Sequence, residues 1–214
     1  MTTPAEALEA IKAAEAGGDP DLLEAARKAY LEVDDAGATA ADVRYRLGLM
    51  RLFRHQDLAG ALELFKLAAN ERGAPVSPEA RVSLALLLHG QKKTKQAIFE
   101  LKKLLPEGVR PSIHSAQGLD FLALLLRESQ APTNEVMACD RQRLEHLGAL
   151  AAGAADPVER AHFMLRIAAA HADGASAADF ALARKKLDEI LKLGAGAGES
   201  ALGAARAALK TLPR

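Results

Sequence analysis

The chain has 214 residues and no net charge; half of its residues are hydrophobic and only 4% are aromatic. This composition can fill a sizeable core but argues against a β-sandwich, whose strands favour aromatic and β-branched residues. The single cysteine, Cys139, excludes an internal disulfide framework. Because the sequence has neither a secretory signal pattern nor an apolar run long enough to span a bilayer, we expect a cytoplasmic protein.

Residues 1–38 are predicted to form an acidic pair of helices. Thr3 is followed by Pro4 and, three residues after the cap, by Glu6, which is the pattern of a capping box. Gly17-Gly18 ends the first helix, and Asp19-Pro20 begins the second. We interpret this pair as a divergent repeat or an N-terminal cap of a longer array.

Two similar helix-turn-helix units are predicted between residues 43 and 106. Each has a large-small pair in its first helix and apolar residues at spacings of four and seven in its second helix. In the first unit the pair is Leu47-Gly48, and the second helix has Ala61, Phe65 and Ala68. In the second unit the pair is Leu84-Ala85, and the second helix has Ala97, Leu101 and Leu104. Small residues allow two helices to approach closely, and the apolar face of one hairpin is buried only when hairpins stack.

These motifs resemble tetratricopeptide repeats and their Sel1-like relatives. Leu47-Gly48 matches the large-small pair of such a repeat, and Ala61, Phe65 and Ala68 match its Ala, aromatic, Ala triplet. The resemblance implies an all-α protein of about eleven helices, in which antiparallel helix-turn-helix repeats stack as an α-solenoid.

The repeats are predicted to extend over residues 39–193. Leu122-Ala123 follows Leu84-Ala85 by 38 residues, and Ala183, Leu187 and Ile190 repeat the four and seven spacing. The helix over residues 133–150 lacks the small-residue triplet. Residues 194–198, with three glycines, are predicted to be a flexible linker, and residues 199–214 a C-terminal capping helix.

The resemblance also implies a concave groove, lined by the first helices of successive repeats, that receives a peptide or helix of a partner protein. The groove-facing positions counted from the three large-small pairs are Tyr45, Leu49, Leu52, Val82, Leu86, His89, Asp120, Leu124 and Arg127. Leu49, Leu86 and Leu124 would form an apolar stripe suited to an amphipathic helix or an apolar extended segment. The alternative is that this stripe is core between two layers of helices.

The charged residues are distributed unevenly along the chain. Residues 1–42 contain ten acidic and three basic residues, whereas residues 43–127 contain fourteen basic and seven acidic ones. A secondary basic surface is predicted at Lys92, Lys93, Lys95, Lys102 and Lys103. It would attract an acidic partner or be partly neutralised by the N-terminal helices; the alternative is an ordinary solvated helix face. Scarce aromatics and overall neutrality make nucleic acid a poor candidate partner.

No catalytic, cofactor or metal pattern is present in the sequence. The six histidines lack metal-ligand spacing, and no serine lies in a nucleophile elbow. The function expected is a non-catalytic adaptor or scaffold that binds another protein, with a dedicated chaperone for a secreted or assembly-prone subunit as the alternative. An enzyme hidden in residues 129–173 and a homo-oligomer built through an exposed terminal face are the remaining hypotheses.

Overall fold

The computed structural model describes residues 2–106, 109–174 and 176–213. These residues form eleven α-helices and one short 3₁₀ helix, and they contain no β-strand. The helices are α1 (Pro4–Gly17), α2 (Pro20–Val33), α3 (Gly37–Phe53), α4 (Leu58–Asn70), α5 (Ser77–Gly90), α6 (Thr94–Lys102), α7 (Ile113–Glu128), α8 (Thr133–Gly153), α9 (Pro157–Asp173), α10 (Ala177–Lys192) and α11 (Glu199–Thr211). The predicted all-α fold class is confirmed.

The ends of the first helices are set by local sequence. The backbone N–H of Glu6 donates to the Thr3 hydroxyl at 3.3 Å, and the backbone N–H of Thr3 donates to the Glu6 carboxylate at 2.7 Å. This is the predicted capping box. Gly18 ends α1 with a φ of 70°, which costs glycine little, and the Asp19 carboxylate accepts from the first backbone N–H groups of α2.

The chain divides into two compact units, Met1–Leu104 and Leu105–Arg214. In the first unit, α1 to α6 pack in chain order, each helix against the next. Its N-terminal core cluster is built from α1, α2 and α3 and consists of Ala7, Ile11, Tyr30, Ala40, Val43 and Leu47. The unit boundary falls inside the predicted repeat region 39–193.

The repeat motifs of the first unit lie where helices meet. Phe65 is fully buried, and its ring packs beside Gly48 and at 5.5 Å, between ring centroids, from Tyr45. The corresponding residues of the next hairpin are also buried, at 4% exposure or less: Leu84, Ala85, Ala97, Leu101 and Leu104. The motif positions are therefore core positions.

In the second unit, α7, α8, α9 and α10 also pack in chain order, and α11 covers α9 and α10. Leu122 and Ala123 of α7 are buried, as are Ala183, Leu187 and Ile190 of α10. One further large-small pair was not predicted: Ile167-Ala168 of α9, which is buried as well. The missed pair lies 45 residues after Leu122-Ala123, because α8 is longer than the earlier second helices.

The glycine-rich segment differs from the prediction of a flexible linker. Gly194–Ala197 forms a 3₁₀ helix that contacts α9, α10 and α11. Ala197 is fully buried in the same core cluster as Ala201 and Ile190. The small side chains here serve close packing, and positive φ values at Gly194 and Gly198 turn the chain from α10 into α11.

We expect Gly48→Ala to destabilise the protein. A Cβ atom at this position would lie 2.5 Å from Cε1 of Phe65, whose ring is fully buried. Overpacking of this kind costs about 1–3 kcal/mol and outweighs the helix propensity gained, which is about 1 kcal/mol. Urea unfolding monitored by circular dichroism would show a lower midpoint.

The matched control is Gly203→Ala in α11, where a Cβ atom meets nothing within 4 Å. This change should raise the free energy of unfolding by roughly 0.5–1 kcal/mol. Equal effects of the two substitutions would contradict the close approach of α3 and α4.

Candidate protein-binding surface

Tyr45 joins the first helices of two neighbouring hairpins. Its hydroxyl donates to a carboxylate oxygen of Glu79 on α5 at 2.9 Å and lies 3.5 Å from the hydroxyl of Ser83. The ring is only 8% exposed, and burial raises the pKa of its hydroxyl. Tyr45 was predicted to face a groove; the structure places it in the packing between α3 and α5.

The other predicted residues of the first unit lie along the same two helices. Leu49 and Leu52 of α3 are half-buried, as are Val82 and His89 of α5, whereas Leu86 is 53% exposed. The His89 ring nitrogen Nδ1 lies 3.2 Å from the hydroxyl of Thr94. We call Leu49, Leu52, Val82, Leu86 and His89 the α3–α5 surface.

The predicted residues of α7 belong to the second unit and have different environments. Leu124 is 51% exposed. Asp120 forms ion pairs with Arg143 of α8 and Arg166 of α9, and Arg127 pairs with Asp140 of α8 at 2.6 Å. Asp120 and Arg127 are therefore held by ion pairs to neighbouring helices. Leu124 is the predicted residue of α7 with a largely exposed apolar side chain.

Arg143 is the centre of this charged cluster. Its side chain is 8% exposed, and its guanidinium contacts the carboxylates of Asp120, Asp140 and Asp173, the last at 2.8 Å. A buried arginine needs such partners, because an unpaired charge in the core is costly. The cluster ties α7, α8 and α9 together.

Helix α8, which carries Arg143, also carries Cys139 and His146. They lie four residues before and three residues after Arg143, and both are fully buried. Burial, with the neighbouring Asp140 carboxylate, raises the pKa of the Cys139 thiol to about 12. The side-chain amide nitrogen of Gln142 lies 3.2 Å from Nε2 of His146. Since an amide nitrogen only donates, Nδ1 of His146 carries the proton and donates to the Ser115 hydroxyl at 2.9 Å.

The predicted basic surface lies at the turn between α5 and α6 and on α6. Lys92, Lys93 and Lys95 are exposed, and Lys102 and Lys103 are half-buried. Lys103 pairs with Glu100 at 2.8 Å and lies 4.7 Å from the ring centroid of Phe99.

Acidic residues of the N-terminal helices pair with arginines near them. Asp21 binds Arg54 at 2.8 Å, and Glu15 binds Arg27 at the same distance. Glu24, 9% exposed at its side chain, accepts from Lys28 and lies 2.6 Å from His55; these hydrogen bonds lower its pKa to about 2. The acidic residues of the N-terminal helices therefore pair with cations of α2 and of the turn after α3. The lysines of α6 lie further along the chain.

The part of the chain that the structure describes contains no group of three or more side chains able to hold a metal ion. Over the same residues, no helix is both long and apolar enough to cross a bilayer. One groove, between α9, α10 and α11, is lined by alanines and leucines with a single hydroxyl, that of Thr211.

Comparison with known proteins gives similar folds. No family model matches the sequence, and no curated protein does so either. Among solved structures, the C-terminal part of a TPR repeat-containing protein from Cytophaga hutchinsonii superposes with a TM-score of 0.53 and 16% identity, covering 94% of this chain and 73% of that one. BtubC (BKLC) from P. vanneervenii superposes with a TM-score of 0.50 and 17% identity, covering 99% of this chain and 92% of that one.

We expect stability to fall between pH 7.5 and 5.5 because of His146. Burial lowers the pKa of this imidazole below its ordinary value of 6.5, so the folded protein keeps it neutral while the unfolded chain takes up a proton. Stability is therefore fully present above about pH 6.5 and decreases below it. Urea midpoints measured at both pH values would show the loss.

His146→Gln should reduce this pH dependence. The pKa of His171 is also lowered by burial, so a smaller slope remains in His146→Gln. An unchanged slope in His146→Gln would contradict the buried neutral imidazole. Glu24 contributes to stability in a separate pH range: its contribution is lost as the pH falls from its ordinary pKa of 4.5 to about 2.

Cys139 should resist thiol reagents in the native protein. Its sulfur is fully buried and its pKa is about 12, so almost no thiolate is present at neutral pH. Mass spectrometry after iodoacetamide treatment should show one adduct in urea and none without it. Rapid modification of the folded protein would show that α8 opens to solvent.

Proposed function

We propose that this chain, whose fold is that of tetratricopeptide-type helical repeats, is a non-catalytic interaction protein that binds an apolar segment of a partner protein on the α3–α5 surface. The observation that carries the proposal is Leu86, a large apolar side chain left 53% exposed beside the helix contact that Tyr45 makes.

The contact between α3 and α5 supports a common binding surface for Leu49 and Leu86. Tyr45 reaches Glu79 and Ser83, so these faces of the two helices are adjacent. Leu49 follows Tyr45 by one helical turn, and Leu86 follows Ser83 by nearly one turn. Since α3 and α5 both pack on α4 in a run of hairpins, we expect Leu49 and Leu86 to lie along one seam.

This seam suits a peptide that brings its own apolar side chains. A partner that covered Leu86 would remove a large apolar side chain from water, which is worth about 1.5–3 kcal/mol for full burial. His89, one turn further along α5, offers a polar group at the edge of the apolar area. An amphipathic helix or an extended apolar segment has this pattern.

Three features support a proposed function without catalysis. The charged side chains of α7, α8 and α9 are bound to one another in the Arg143 cluster. The thiol of Cys139 is buried and protonated, and the hydroxyl of Ser115 is fully buried beside His146. Reactive groups of an enzyme are instead reachable from a cleft. A partner-binding protein needs none of them.

Leu86→Glu should weaken capture of the partner while leaving the fold intact. Losing the burial of this leucine corresponds to roughly a tenfold to hundredfold weaker binding. The measurement is a crosslinked pull-down from native lysate with quantitative mass spectrometry, in which proteins bound by the unaltered chain are compared with those bound by the variant.

The matched control is Leu182→Glu on α10, where a leucine is similarly exposed at 45%. Proteins lost with Leu86→Glu and retained with Leu182→Glu are ligands of the α3–α5 surface, and adding Leu49→Glu should remove any that remain. Retention of every specifically bound protein by the double variant, in a folded state by circular dichroism, would overturn the proposal.

A further inference from the structure

A second groove lies on the other helices of the first unit. It is bounded by α4 and α6 and has Leu84 and Leu88 of α5 as its floor, with a volume of about 330 Å³. Phe99 of α6 stands at its side with 62% of its surface exposed, and Leu62 of α4 lies opposite. We call this the α4–α6 groove; it is separate from the α3–α5 surface.

The charge around this groove is predominantly positive. Glu100 is already bound by Arg81 at 2.9 Å and by Lys103 at 2.8 Å, so its charge is compensated. Lys66 lines the groove beside Glu63. Two further lysines lie on the Phe99 face of α6, one four residues before Phe99 and one three residues after it. They are Lys95 and Lys102.

Helix α2 of the same unit carries an exposed apolar stripe. Leu22 is 61% exposed and Val33 is 37% exposed, and the exposed Ala25 and Ala29 lie between them at helical spacing. Three charged residues of α2 are exposed beside this apolar stripe: Asp21, which binds Arg54 at 2.8 Å, Lys28, which binds Glu24 at 2.6 Å, and Glu32. In the described residues of the first unit, the stripe has no helix packed on it.

The two surfaces of one molecule do not meet. Helix α2 packs on α1 and α3, whereas the groove is formed by α4, α5 and α6, and the stripe remains exposed in the folded chain. An exposed apolar stripe fits a groove with an apolar floor, and the helices that carry the stripe are acidic whereas those that form the groove are basic. Overall, residues 1–42 carry seven more acidic than basic residues, and residues 43–104 carry seven more basic than acidic ones.

We propose that two copies of this chain associate, with the Leu22–Val33 stripe of one copy seated in the α4–α6 groove of the other around Phe99. The contact is heterologous, because it joins two different surfaces. Each bound copy therefore keeps one unused stripe or one unused groove, and assembly continues beyond the dimer as concentration rises. Since charge contributes to the contact, salt weakens it.

The test uses sedimentation velocity of the full chain over a range of concentrations at low and at high salt. We expect an average mass that rises with concentration at low salt and falls when salt is added. A monomeric mass at every concentration at low salt would overturn the proposal and leave the groove to a different partner.

Complementary variants identify the two surfaces. Leu22→Glu keeps the groove and loses the stripe; Phe99→Glu keeps the stripe and loses the groove. Each alone should be monomeric, and an equimolar mixture should form a dimer that grows no further, since only one intact pair of surfaces is left. Leu182→Glu should associate like the unaltered chain.

Both altered residues are more than half exposed, so the variants should fold, as their circular dichroism and melting temperature will show. A mixture that stays monomeric, or single variants that associate as the unaltered chain does, would contradict the assignment of these surfaces. Loss of partner capture by Leu86→Glu is a separate result, because that leucine lies outside both surfaces.

Discussion

The close approach of paired helices is the constraint on which this structure depends. Gly48 leaves the space that the Phe65 ring fills, and alanines occupy the equivalent contacts of the next hairpin at Ala85 and Ala97. With few aromatic residues available, the chain fills its core by bringing backbones together rather than by inserting large side chains. The leucines at the remaining motif positions then pack against the neighbouring hairpin.

Helix α8 keeps the spacing of the other second helices but changes its chemistry. Where α4 has Ala61, Phe65 and Ala68, α8 has Cys139, Arg143 and His146 at the same intervals, all buried. Each polar group then needs a partner, which the carboxylates of α7 and α9 and the hydroxyl of Ser115 supply. A buried ion pair contributes little net stability, but removing one partner is costly, so this hairpin tolerates fewer substitutions than an apolar one.

The sequence predicted most of the helices because caps, glycines and apolar spacing act locally. It predicted the burial of Phe65 and Leu101 for the same reason. The repeat character of α8 was not predicted, because the repeat motif consists of small and apolar residues, whereas α8 has an arginine whose partners are distant in sequence. It also took the glycines at 194–198 for a linker, because composition does not reveal that Ala197 is packed between helices.

The surfaces were predicted less completely than the core. Helical spacing placed Tyr45 and Leu86 on equivalent faces, but exposure depends on the neighbouring helix. Tyr45 is buried and its hydroxyl donates to Glu79, whereas Leu86 is exposed. Phe99 was not singled out, although a large aromatic flanked by Lys95, Lys102 and Lys103 on one helical face is a usable signal in a chain with so few aromatic residues.

The order of packing has a consequence for how the chain acquires its structure. In each unit the helices contact mainly their neighbours along the chain, so few contacts require closure of a long loop. Helical proteins of such low contact order fold in roughly microseconds to milliseconds. Because translation adds only about 5–20 residues per second, each hairpin can form soon after its second helix leaves the ribosome, and the packing of α1 to α6 can begin before the second unit has emerged.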